Sequence, residues 1–169
     1  LTVFLCHLKS KFSQYYPEKE PKEYEEDQKK SEEKRKRQVS ETIAIVKKSQ
    51  NVDKDCFVIM GDMNDTPNSS ALADYLRTGN ELKLKNASGS IEDEKDYPQA
   101  TFSESEKKRK RDTHKWTRKV KGKTITTYSQ LDFILLSQTI AKGLKLVKVE
   151  QEGFTTGSDH YLFWADIEV

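Results

Sequence analysis

Three short segments place polar side chains where a hydrophobic run ends or begins, and such positions can do chemistry. Gly61-Asp62-Met63-Asn64-Asp65 follows the apolar run Cys56-Phe57-Val58-Ile59-Met60 without a break. The two-residue spacing of Asp62 and Asn64 turns both toward one side as the chain leaves a sheet, where a carboxylate and an amide can meet a ligand. Glycine, aspartate and asparagine are also turn formers, so a simple turn after a strand is the competing reading. Gly157-Ser158-Asp159-His160 precedes another strand and joins an imidazole that titrates near neutrality to a carboxylate. Asp132 stands second in the apolar run Leu131-Asp132-Phe133-Ile134-Leu135-Leu136. A carboxylate there costs several kcal/mol unless it is paired, and a histidine is a natural partner.

The elements that must carry these residues are readable from periodicity. Leu1-Thr2-Val3-Phe4-Leu5-Cys6-His7-Leu8 is a β-rich run, and Cys56 to Met60 reads as a strand buried on both faces. Val39, Ile43 and Val46 recur at helical spacing, predicting a helix over about Asp27 to Ser49 that packs one stripe on a sheet. Residues 17–38 mix eight acids with eight bases, as a solvated loop feeding a solvated helix would. Asn68 or Ser69 caps a short helix with Leu72, Tyr75 and Leu76 inward, and residues 80–101 read as loop. Two strands flank a turn at Lys121-Gly122-Lys123, and further strands follow at Leu131 to Leu136, Leu144 to Glu150 and within Tyr161 to Val169. This order predicts an α+β fold: one mixed β-sheet with helices on its outer face.

Composition bounds the partners. Lys+Arg 30 against Asp+Glu 28 nearly cancel, so only local clustering can argue for a charged ligand. That clustering occurs at 104–123, where ten bases from Lys107 to Lys123, Arg111 among them, meet a single acid, Asp112, with His114 and Trp116 interleaved. A basic loop with an aromatic suits phosphate-backbone binding and base stacking, and a solvated hairpin is the plainer alternative. His114, set among charges, reads as exposed. An arginine near the start of the helix, Arg37 beside Gln38, could brace the site. No stretch approaches the roughly 18 apolar residues of a membrane helix. Cys6 and Cys56 lie in apolar runs and read as small buried hydrophobes; the compartment stays open.

Taken together, His7-Leu8-Lys9-Ser10, Gly61-Asp62-Met63-Asn64-Asp65, Leu131-Asp132-Phe133-Ile134-Leu135 and Ser158-Asp159-His160 resemble, in order and spacing, the C-terminal half of the endonuclease/exonuclease/phosphatase superfamily. The Trp116 to Ser137 segment is similar to that of the nuclease-like members. The resemblance implies a single partial domain over 1–169, one half of a four-layer αββα sandwich. It implies a divalent-metal-dependent phosphodiester hydrolase, with sphingomyelinase-like and phosphatase-like relatives as neighbours. Asp62 would position or activate water and Asn64 would donate to phosphoryl oxygens. His160 would act as general base or phosphate stabiliser, oriented by Asp132, and His7 would contact phosphate. Asp159 would help bind Mg2+ or Mn2+, and Lys9, Arg111 and Trp116 would bind the nucleic-acid substrate. The family's principal metal ligand, a glutamate on an upstream strand, has no counterpart here, so metal affinity and turnover are expected to be weak or absent. The sheet face that the family's other half covers should then need another chain or a second copy. A non-catalytic nucleic-acid or protein-binding module is the rival expectation.

Overall fold

The computed structural model describes residues 1–90, 110–120, 122–151 and 157–169. Lys107, Lys108, Arg109 and Lys121 of the basic loop lie outside the described residues. The central sheet has strand order β1 (Thr2–His7), β2 (Phe57–Asp62), β6 (Asp132–Leu136) and β3 (Lys85–Asn86). β1 runs parallel to β2, while β6 is antiparallel to both β2 and β3, so the sheet is mixed and the fold α+β as expected. Two antiparallel ribbons complete the strands: β4 (His114–Val120) with β5 (Lys123–Ser129), and β7 (Leu144–Glu150) with β8 (Leu162–Ile167).

Alternation along β2 sorts the core. Phe57 and Ile59 face the long helix α1 (Pro21–Ser49), whose Val39, Ile43 and Val46 pack on them with Phe133 and Leu135 of β6. Val58 faces the other way, joining Ile134, Leu136, Ile140 and Val147. That second face is therefore covered by the β7–β8 ribbon over β2 and β6, but over β1 it is open, with Leu1, Val3 and Leu5 exposed. The expectation of a wholly uncovered inner face is corrected to this strip, because the ribbon folds back onto it.

Helix α1 starts at Pro21, earlier than its apolar spacing alone predicts. Proline supplies the preset φ of a first helical turn, and ion pairs one turn apart such as Glu32–Lys36 support the solvated end. Ser69 does cap the next turn, accepting from the Ala71 N–H at 3.1 Å, ahead of α2 (Ala73–Leu76). Within the stretch expected as loop, Lys85 and Asn86 add the short strand β3. Cys6 and Cys56 are free thiols and half-buried, not fully inside. Burial pushes the Cys6 thiol above its ordinary pKa. No described helix is long and apolar enough to cross a membrane.

Candidate functional site

Strand register builds the site. His7 pairs with Asp62, and Asp62 pairs with Asp132, so the three lie in one row across β1, β2 and β6 at one end of the sheet. The row belongs to the face that carries Val3, Leu5, Met60 and Ile134, opposite α1, since side chains two residues apart share a face. Two carboxylates opposed on neighbouring strands repel unless each is served by a donor or a cation. Asp62 accepts from the Asn64 N–H at 2.8 Å and from Asn64 Nδ2 at 2.9 Å. Asp132 is met by His160, whose Nδ1 lies 2.7 Å from Asp132 Oδ2. The partly buried Asp132 carboxylate's need for a partner is answered by the histidine that chemistry favours.

The hydrogen bond to Asp132 raises the His160 pKa above its ordinary value; partial burial opposes the rise, and the charges of Asp132, Asp62 and Asp159 add to it. With Nδ1–H donated to the carboxylate, Nε2 is the nitrogen left to exchange a proton. His7 is largely exposed, and its Nε2 stands 3.6 Å from Asp62 Oδ2. Asn64 sits at φ 49°, a left-handed conformation that asparagine tolerates, and its amide spans Asp62 and the Leu8 carbonyl at 3.0 Å. Both amide hydrogens are thus engaged, so donating to a phosphoryl oxygen requires one of these bonds to be exchanged.

Sequence reading missed His114. It is not exposed: only 16% of its side chain meets solvent. Its ring lies 4.9 Å from that of His160, its Nδ1 is 3.3 Å from Ser129 Oγ and its Nε2 is 3.6 Å from Asp159 Oδ2. Burial lowers its pKa first, the neighbouring His160 second, with Asp159, Asp132 and Asp62 pulling back. Next to it, fully buried Thr113 accepts from the N–H groups of Leu131 and Asp132, each at 3.0 Å, and its carbonyl accepts from Tyr161 at 2.7 Å. One threonine therefore ties the start of β6 to the segment holding His160. Every residue of β4 is polar or flanked by polar residues, so no alternation marked this end of the strand as covered.

Lys9 is held at its backbone, and its ammonium donates to the Ser10 carbonyl at 2.9 Å. Arg111 is half-buried at the base of the β4–β5 ribbon. Trp116 is exposed on β4, with the Arg118 guanidinium 5.1 Å from its ring centroid. The bracing arginine is Arg35, not Arg37, because Arg35 continues the Val39–Ile43 stripe one turn earlier and points inward. Among the described residues, no three or more His, Cys, Asp or Glu are grouped so as to hold a metal ion. Asp159, the expected ligand, is 65% exposed and turned to His114. The donor set among the described residues does not close a metal centre. None of the family models, curated proteins or solved structures compared with the chain matches it.

Proposed function

We propose that the chain belongs to a divalent-metal-dependent phosphodiester hydrolase, a nuclease acting on DNA or RNA. The observation that supports this best is the row His7–Asp62–Asp132 with His160 docked on Asp132. In this reading Asp62 orients the attacking water, and Asp132 fixes His160 so that Nε2 exchanges a proton with the reacting oxygens. His7, exposed beside Asp62, offers a donor to a phosphate oxygen. Magnesium or manganese enters only as part of the proposal, since an ion needs a carboxylate beyond those the described residues bring together. Lys115 and Lys119, exposed on one face of β4, and Trp116, exposed on the other, are the nucleic-acid contacts in this reading, with Arg111 at the base of the ribbon. The open strip over Leu1, Val3 and Leu5 is where the second half of an αββα sandwich would pack.

The test uses the protein encoded by the complete reading frame, incubated with magnesium and DNA, RNA or a chromogenic phosphodiester. Cleavage of one substrate, abolished by Asp62→Ala and by His160→Ala, is the expected result. Failure to cleave all three ends the enzymatic reading. The metal donors left ungrouped among the described residues favour a second reading, a non-catalytic nucleic-acid-binding module. Salt-sensitive DNA binding that survives both substitutions, without turnover, would establish it.

A further inference from the structure

Helix α1 carries an arginine where an aliphatic residue would be expected. Its inward stripe runs Ser31, Arg35, Val39, Ile43, Val46, and Arg35 is 2% exposed although both helix ends are richly charged. Hydrophobic residues commonly replace a buried ion pair without loss of stability, so stability alone does not explain this residue. Its contacts do. Arg35 Nε donates to Asp65 Oδ2 at 2.8 Å and Nη1 donates to the Lys9 carbonyl at 3.1 Å, while Gln38 Oε1, one turn on, accepts from the Lys9 N–H at 2.8 Å. Lys11 closes on the other oxygen of Asp65.

From Lys9 the path continues without a gap. Leu8 donates its N–H to the Asp62 carbonyl at 3.0 Å and accepts the Asn64 amide, which in turn holds the Asp62 carboxylate. Asn64 itself sits at positive φ, a conformation that persists where its surroundings enforce it, and its neighbour Asp65 is the residue Arg35 grips. We infer that Arg35 and Gln38 are positioning residues: from the far side of the sheet they lock the exits of β1 and β2 together and thereby aim Asp62. The inference rests on the proposed catalytic role of Asp62 only for its consequence in turnover; the lock itself is a structural claim.

Arg35→Lys separates the two. Lysine keeps a positive charge at Asp65 but lacks the planar fork that reaches Asp65 and the Lys9 carbonyl together. In 1H–15N spectra of the chain, the Asn64 side-chain amide should move toward free-amide positions, and exchange of the Leu8 and Asn64 N–H groups should quicken about tenfold, with the β4–β5 signals unmoved. Gln38→Leu should do the same at Leu8 and Lys9, whereas Gln38→Glu, which keeps an acceptor, should restore them. In a form of the protein that turns over a phosphodiester, kcat should fall about ten- to a hundredfold with KM little changed. Unchanged exchange at Asn64 and Leu8 in Arg35→Lys overturns the lock, whatever the activity. If Arg35→Lys does not fold, the Gln38 pair decides by the same signals. Altered exchange in a protein that cleaves nothing would keep the lock and sink the catalytic reading.

Discussion

Replacing Asp132 by asparagine should change how stability depends on pH, and the structure fixes both sign and size. The carboxylate stabilises the imidazolium of His160 across 2.7 Å. A hydrogen bond between charged groups contributes about 1.5–3 kcal/mol when dry. Here the His160 and Asp132 side chains are 30% and 21% exposed, so water weakens the bond. About 1 kcal/mol is the expected remainder. The folded pKa of His160 is raised, so this stabilisation is fully present below the unfolded value of about 6.5 and fades as pH rises through the folded value. His114 works in the opposite sense: its folded pKa is lowered, so its contribution holds above the unfolded value and is lost as pH falls through the folded one. The two overlap and partly cancel in the parent protein. The difference between parent and Asp132→Asn isolates the pair. Urea unfolding at about pH 5.5 and about pH 8.5 should show a stability gap larger at the acid pH by about 1 kcal/mol, with the m-value unchanged. An equal gap at both pH values would refute the reasoning.

Gly61 sits at φ +130°, and a Cβ there would run into the Cys6 carbonyl oxygen, so Gly61→Ala should force β1 from β2. A loss of about 2–4 kcal/mol is expected, read as a fall in Tm of roughly 5–15 °C by calorimetry. His114→Phe keeps the ring packed on His160 but removes its titration. Stability near pH 8 should stay within about 0.5 kcal/mol of the parent, and the variant should lose less stability on acidification than the parent does, as followed by urea midpoints. Trp116→Ala should weaken single-stranded DNA binding by about 1–3 kcal/mol without altering its salt slope, whereas Lys115→Ala should lower the slope of log K against log salt by about 0.7. Fluorescence anisotropy across a salt series distinguishes the two.

The two apolar runs around Val58 and Ile134 were readable as strands because burial on both faces removes every polar residue from them. Asp132 stood out for the same reason, as the one charge such a run cannot carry alone. Which residues face each other was not readable: the meeting of Asp62 with Asp132 depends on register between positions 70 apart in the chain, which local pattern does not encode. Arg35 could have been found by stepping back four residues from Val39, but the equal mixture of charges around it mimics a wholly solvated segment. His114 had no such signal. Its cover comes from His160 and Ser129, brought in by strand pairing, and its own strand lacks apolar alternation. The β7–β8 ribbon was legible as strands but not as a lid on β2 and β6, because that packing is decided by Val147 meeting Val58 and Ile134.

The row His7–Asp62–Asp132 has a consequence for how the chain comes to life on the ribosome. β1 and β2 can pair once residue 62 has emerged, yet Asp62 then borders an unpaired strand until β6 arrives, and His160 comes later still. At synthesis rates of about 5–20 residues per second, β2 waits several seconds with Val58 and Met60 unpartnered. The Asp132–His160 pair is therefore among the last parts to be assembled, and no fragment ending before residue 160 contains it. A chain that stops short of residue 160 leaves the Asp132 carboxylate without its histidine partner.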